Sequence, residues 1–386
     1  MHEAPVIVGG GVAGGASAVL LARAGRRPLL LERERAAHDK VCGEFVSGEA
    51  ARLLAYLGLD VAALGAAPLG RVRLAYGTRI AEAALPFAAW GLSRRRLDAA
   101  LLDAAEREGA EVRRGVVVRG IGPDGAVLLP GEELRTGTVL LATGKHELRG
   151  AGREARSEAL VGLKLHLRLA RRQASRVADC VELHLVHGGY VGLQAVEDGI
   201  VNLCLIAPAA RFGAAGRSAA ALIEALGAEA PLLGARLGGA EALWPRPLAV
   251  ARVPYGHLHR PASSSLPGVF RLGDQAAVIP SLTGDGMAIA LHSAMLAAAA
   301  PDAGAYHRRL ARDLALPMRV AGVLHMAIRA FPGMAAGIAA AFPGLLGVAA
   351  RRTRVPEQAL LGLAAENGVA NSVSRGAHSP STKAVP

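Results

Sequence analysis

The chain predicts an α/β fold: a central parallel sheet built on a strand–helix–strand unit, an inserted antiparallel sheet, and helices toward the C-terminus. Three observations point there. A glycine-rich turn follows the first apolar run, between Val8 and Val12. Residues 158–261 hold runs that alternate apolar and polar side chains, the period of a strand. Apolar, alanine-rich stretches of helical length fill much of residues 287–350. With 386 residues, 52% hydrophobic and 20% charged, the chain can build a sizeable core.

The first element is a short strand over Pro5–Val8, followed at once by Gly9-Gly10-Gly11-Val12-Ala13-Gly14-Gly15. A helix is expected over Ala16–Ala24, ended by Gly25, and a second strand over Pro28–Glu32. This Rossmann-type βαβ order is the context a dinucleotide fingerprint requires. Gly9 permits the tight turn, Gly11 lets the backbone approach a pyrophosphate, and Gly14, next to Gly15, lets the helix pack close to the sheet. The helix N-terminus presents N–H groups and a positive dipole end to phosphates. Glu32, beside Arg33, ends the second strand about 20 residues on, where an acid accepts ribose hydroxyls.

Three further segments carry a family resemblance. Lys40-Val41-Cys42-Gly43-Glu44-Phe45-Val46-Ser47 resembles the K-x-C-G-x-x-x-S stretch of geranylgeranyl reductase-like flavoproteins. Ser93-Arg94-Arg95-Arg96-Leu97-Asp98 resembles the S-R-x-x-L-D helix start of the same superfamily. Gly273-Asp274, Pro280 and Gly284-Asp285-Gly286 resemble its late G-D…P…G-x-G motif. The superfamily joins geranylgeranyl reductases, aromatic-ring hydroxylases of the p-hydroxybenzoate hydroxylase type and flavin-dependent halogenases.

The resemblance implies FAD. It places Lys40, Cys42, Gly43 and Arg94 at the cofactor, Asp274 on the ribityl chain, and Gly284 and Gly286 against the isoalloxazine, with Gly273, Pro280 and Met287 alongside. The late motif also makes physical sense. A strand over Phe270–Leu272 enters a turn at Gly273, Asp274 offers an acceptor, and a helix from Met287 to Ala299 aims its N-terminus at the flavin. Two departures stand out. Thr143-Gly144 replaces the Asp-Gly of many hydroxylases, which puts their mode of NADPH handling in doubt. The W-x-W-x-I-P motif of tryptophan halogenases is missing, and Gly189-Tyr190-Val191-Gly192-Leu193 sits where a Tyr-containing substrate-domain motif would be, which disfavours halogenation.

The inserted sheet begins with Leu163–Leu169, a half-buried strand by its alternation. Val181–Leu185 repeats the pattern, and Tyr190–Val196 with Ile200–Ile206 form a hairpin around Glu197-Asp198-Gly199. Lys164 and His166 share one strand face. His166 is then either an acid or base facing substrate or part of a solvated polar face. Tyr190 is either a proton donor near the flavin or a plain sheet residue. By resemblance Cys42 lies near isoalloxazine and substrate; otherwise it is a small buried apolar residue.

These readings divide the chain. Residues 1–70, 88–157 and 262–300 form a discontinuous FAD-binding domain, 71–87 and 158–261 a substrate domain, 301–370 a C-terminal helical region, and 371–386 a disordered tail. No second glycine fingerprint follows. Electrons therefore come from transient NAD(P)H docking or from a redox partner protein. No metal is expected. The net charge of +12 is dispersed without aromatic interleaving, which argues against nucleic acid. Cys42, Cys180 and Cys204 form no C-x-x-C pair, so a reducing cytosol is the expected compartment. Residues 330–350 are uncharged, but Pro332, Gly333, Pro343 and Gly344 divide them into two short buried or interfacial helices. Beside basic residues, these suit a greasy substrate or peripheral membrane contact. The leading expectation is an FAD-dependent monooxygenase for a hydrophobic aromatic or polyketide-like molecule. The alternative is an FAD-dependent C=C reductase of the geranylgeranyl reductase type, acting on a prenyl or lipid substrate.

Overall fold

The computed structural model describes residues 4–153, 159–261 and 266–360. The chain opens with β1 (Val6–Val8), α1 (Val12–Arg23), β2 (Leu29–Glu32), β3 (Phe45–Ser47), α2 (Gly48–Tyr56), β4 (Ala67–Tyr76), β5 (Arg79–Gly91) and α3 (Arg94–Arg107). It continues through β6 (Glu111–Arg114), β7 (Gly120–Ile121), β8 (Val127–Leu129), β9 (Glu132–Leu134) and β10 (Val139–Leu141). Next come β11 (Leu160–Arg168), α4 (Arg171–Val177), β12 (Cys180–Val186), β13 (Gly189–Ala195), β14 (Val201–Pro208), α5 (Ala209–Ala214), α6 (Ala219–Glu229), α7 (Pro231–Leu237), β15 (Glu241–Ala242) and β16 (Leu248–Ala251). The remaining elements are β17 (Val269–Arg271), α8 (Gly286–Ala299), α9 (Ala303–Ala330), α10 (Pro332–Ala341) and α11 (Gly344–Arg352).

The parallel sheet has the order β17-β10-β1-β2-β6. Its strands are near-continuous apolar runs because both faces are covered. The period of two sorts them. Ile7, Leu30 and Leu140 pack with α1, α3 and α8. Val6, Val8, Leu29, Leu31, Val139 and Leu141 face the opposite way, onto Ile121 and Val127 of the three-stranded sheet β7-β8-β9.

The second sheet, antiparallel except where β12 pairs with β4 in parallel, is larger than the alternation indicated. Its order is β15-β11-β14-β13-β12-β4-β5-β3, with β16 also on β11. It takes in residues 45–47 and 67–91 rather than 71–87 alone, because Pro86 and a run of alanines in β5 obscure the period. The expected hairpin is present as β13 and β14. Leu163, Leu165 and Leu167 of β11 pack on Leu222, Leu226 and Leu233 of α6 and α7. The opposite face of β11, carrying Lys164 and His166, turns toward the nucleotide-binding part and is buried there. A half-solvated strand was the expectation; β11 is instead covered on both faces.

The uncharged C-terminal stretch forms two short helices, α10 and α11, as expected from its prolines and glycines. No single helix is long and apolar enough to cross a membrane, and α9 and α10 meet at a bend of 111°. The tail over 371–386 lies outside the described residues.

Candidate active site

One cavity of about 1010 Å³ reaches from the Gly9–Gly11 turn to the antiparallel sheet and the helices α9–α11. That is at the top of the roughly 300–1,000 Å³ of ordinary ligand pockets, room for a dinucleotide cofactor and a second molecule.

At its nucleotide end the turn is shaped by close approach. Gly9 has φ +105°, and a Cβ on Gly14 would stand 1.9 Å from the Gly9 carbonyl oxygen. No side chain caps α1 and its first turn has no acid, so its N–H groups are left for a ligand. Two cations stand over the turn: a Cβ on Gly11 would be 3.1 Å from Arg94 Nη2 and 3.6 Å from Lys40 Nζ. Both pair with Asp98, each at 2.8 Å. Two positive charges against one carboxylate leave net positive charge beside a helix N-terminus, which fits a pyrophosphate. Glu32 lines the cavity, but its carboxylate also supports the turn. Gly10 N–H donates to Oε2 at 2.6 Å and Glu34 N–H to Oε1 at 2.9 Å.

Farther along the cavity, Asp274 lines it and accepts from Lys145 Nζ at 2.9 Å. Burial opposes its ionisation, but the Lys145 charge holds the carboxyl below its ordinary range. Lys145 follows Thr143-Gly144, the departure noted in the sequence. There a basic side chain reaches across to the late Gly-Asp turn. Arg153 completes the connection, donating to the Asp274 and Gly144 carbonyls at 2.7 and 3.1 Å.

Gly284 and Gly286 differ in what they make room for. Gly284 has φ +68° and a Cβ there would meet the Phe45 ring at 2.7 Å, so this glycine serves protein packing. A Cβ on Gly286 would meet nothing within 4 Å; it faces the cavity. Between them Asp285 is buried, accepting from Arg354 Nη1 at 3.0 Å and Val355 N–H at 2.8 Å. Burial pushes its carboxyl up to about 6 despite Arg354. This raised value implies stability that is fully present below the ordinary 3.8 and is lost as pH rises toward about 6. Asp285→Asn is expected to flatten that decline, read as the urea midpoint measured across pH 4–7. An unchanged slope would show that the carboxyl is not raised.

The remaining compartment is walled by β4, β13, β14 and α9–α11. Cys42 and Tyr190 line it; His166 and Lys164 do not. Tyr190 meets Tyr255 and Ser281, and the Tyr255 and Ser281 hydroxyls are 2.7 Å apart. Burial raises both phenols, Tyr255 to about 12, so both stay protonated and can donate. Burial also pushes the Cys204 thiol up to about 12. Gln194 Nε2 and Asn202 Oδ1 are buried without a hydrogen-bond partner among the described residues, and both residues line the cavity. Buried orphan polar atoms of this kind call for a ligand or water.

Glu44, inside the Lys40–Ser47 stretch, also lines the cavity. Its backbone is left-handed, φ +58°, and its carboxylate points away from solvent. It accepts from Lys164, from Arg94 N–H at 2.8 Å, and meets His166 Nε2 at 2.7 Å. Burial raises its pKa, but the His166 hydrogen bond and the Lys164 charge hold it below the ordinary value. Neither sequence reading of His166, facing substrate or facing water, describes this arrangement: its ring stacks 4.5 Å from Trp244 and reaches the cavity only through Glu44. Asp39, Glu44 and His166 bring three metal-ligand atoms within 4.8 Å of one another, but the Lys164 ammonium sits among them and supplies the positive charge.

Of the sequence-predicted residues, Gly9, Gly11, Glu32, Arg33, Lys40, Cys42, Gly43, Arg94, Gly273, Asp274, Gly284, Gly286, Met287 and Tyr190 all line the one cavity. Gly14, Gly15 and Pro280 sit behind it as packing positions. Sequence reasoning missed Lys145, Tyr255, Ser281, Asn202 and Glu44. Only Glu44 carried a signal, as an acid within a quoted motif.

Residues 3–128 match the family model of the FAD binding domain. A search of curated proteins finds no match. Among solved structures the chain is similar to the flavin-dependent brominase Bmp2, with 17% identity, a TM-score of 0.76, and coverage of 95% of this chain and 98% of that one. It is similar to the myxobacterial chondrochloren halogenase CndH, with 17% identity, a TM-score of 0.65, and coverage of 95% and 96%. It is also similar to the halogenase PltM in complex with phloroglucinol and FAD, with 15% identity, a TM-score of 0.63, and coverage of 85% and 77%. The turn, the paired cations and the family match agree on a dinucleotide site: residues 3–128 match the FAD binding domain, and the chain has the fold of the FAD-dependent halogenases named above.

Proposed function

We propose that the chain is an FAD-dependent monooxygenase that hydroxylates a hydrophobic aromatic or polyketide-like small molecule, with NAD(P)H as electron donor. The observation that carries this reading is the single cavity joining the dinucleotide turn to an apolar compartment with buried hydroxyls. Bound and reduced, FAD supplies the two electrons that let dioxygen place one oxygen atom on the substrate and leave the other as water. The chain's own work is binding and exclusion. Arg94, Lys40 and the α1 N-terminus hold the pyrophosphate, and the Asp274–Lys145 pair lies where the ribityl hydroxyls would bond. The apolar walls keep water out. Tyr190 and Tyr255, protonated by burial, donate to a substrate oxygen and orient the ring.

A halogenation reading draws support from the likeness to the Bmp2 brominase; the missing W-x-W-x-I-P motif weighs against it. The Lys40–Ser47 resemblance supports C=C reduction, with Cys42 or Tyr190 on the proton path. One assay separates the three. The holoenzyme is incubated with NADPH, bromide, isotopically labelled dioxygen and a panel of alkyl phenols and prenyl alcohols. A product carrying one labelled oxygen is expected. A product carrying bromine, or two added hydrogens, would replace the proposal with one of the other two.

A further inference from the structure

Apart from Ile80 and Val117, every exposed large apolar side chain among the described residues lies between Leu316 and Val348. Val323, Met326, Phe331, Met334 and Phe342 stand out from α9, α10 and their junctions, Phe342 at 65% exposure. On α9 the exposed positions Leu316, Arg319, Val323 and Met326 follow helical spacing. Arg79 lies against Gly333, which brings exposed Ile80 beside α10. Between Asp313 and Glu357 the sequence has no acidic residue, and Arg319, Arg351 and Arg352 are exposed. The surface is therefore apolar, and its flanking charges share one sign.

The same helices wall the cavity. Ile328, Ala335, Ala339 and Leu346 line it from within. Ile338 and Leu345 line it too and are each 47% exposed, so these two side chains stand between the cavity and the surface inside the apolar patch. The inner side of α10 is held by protein: Ala336 and Ala339 are buried against Leu74 and Leu185. This helix therefore lies on a surface with one face free.

We propose that α9–α11 dock on an anionic lipid surface, and that an apolar substrate passes from the lipid into the cavity between Ile338 and Leu345. Apolar side chains enter the headgroup–acyl boundary while Arg319, Arg351 and Arg352 meet anionic headgroups. The passage rests on the substrate class proposed above; the docking does not.

The test is flotation of the full-length holoenzyme with vesicles of phosphatidylcholine alone and of phosphatidylcholine with phosphatidylglycerol. Binding to the anionic vesicles is expected to exceed binding to the neutral ones. Phe331→Ser with Phe342→Ser, both outside the cavity wall, is expected to lower the partition coefficient about tenfold with flavin content unchanged. Arg351→Glu with Arg352→Glu is expected to lower it by about fivefold per charge. No binding to anionic vesicles would overturn the proposal. So would binding that the phenylalanine variant leaves untouched, which would mark attraction by net charge alone. A dimer in light scattering that the same variant dissociates would assign the patch to a second copy instead. Binding is measured without substrate, so its failure leaves the oxygenation reading intact, and failed oxygenation leaves the docking intact.

Discussion

Lys164→Met is expected to destabilise the fold by about 3–5 kcal/mol, the usual cost of stranding one partner of a buried ion pair. Both Lys164 and Glu44 have fully buried side chains. Removing the ammonium leaves a carboxylate whose remaining support is the Arg94 N–H and His166. Glu44 belongs to the turn carrying Cys42, and its carboxylate ties that turn to Arg94 N–H, Lys164 and His166. Glu44 N–H contacts Cys42 Sγ at 3.3 Å, and Asn202 donates to the Cys42 and Gly43 carbonyls. A loss of flavin retention should therefore accompany the loss of stability. The urea midpoint at fixed FAD concentration measures the first effect. Adding Glu44→Gln to Lys164→Met should recover much of the loss, because no buried charge then lacks a partner and the amide oxygen still accepts. A double variant as unstable as the sum of the two single ones would show that the pair is not coupled.

The acid limb carries the same signature. Glu44 is held below its ordinary 4.5 in the folded chain, so its contribution is present above that value. The contribution is lost as pH falls through the lower folded value. In Lys164→Met the carboxyl loses its largest Coulombic support, and protonation is expected at higher pH than in the parent chain.

Gly14→Ala and Gly286→Ala are expected to part company. At Gly14 a Cβ would lie 1.9 Å from the Gly9 carbonyl oxygen and 3.3 Å from Ile7 Cγ2. Backbone cannot step aside as a flexible side chain can, so α1 must lift from β1, and its N-terminal N–H groups leave their aim. Overpacking of this kind costs about 1–3 kcal/mol, and both stability and FAD retention should fall. At Gly286 the added methyl meets no protein atom within 4 Å, so stability without cofactor should be unchanged or slightly raised. The flavin-to-protein absorbance ratio after purification should nonetheless fall, because the methyl would occupy cavity space. Unchanged FAD affinity in Gly286→Ala would move the flavin away from the α8 N-terminus.

The parallel sheet and its glycine turn were legible in the chain itself because their determinants are local. Gly9, Gly11, Gly14 and Glu32 lie within one strand–helix–strand unit, and each position is set by a steric or dipole requirement that spacing alone expresses. The hairpin of β13 and β14 was legible for the same reason, since alternation and a Glu-Asp-Gly turn specify it locally. The prolines and glycines of residues 330–350 likewise marked out α10 and α11. Distances between segments far apart in the chain were not legible. Lys164 and Glu44 are separated by 120 positions, and no pattern in either segment announces the other; alternation shows that Lys164 and His166 share a face but not what that face meets. Lys145 and Asp274, and Tyr190 and Tyr255, meet only when β10, β13 and the late Gly-Asp turn converge on one cavity. Local physics chose the elements and the cofactor cradle. Long-range packing chose which buried charges found partners, which hydroxyls line the cavity, and which apolar helices were left uncovered, because those depend on contacts that exist only once the sheets are stacked.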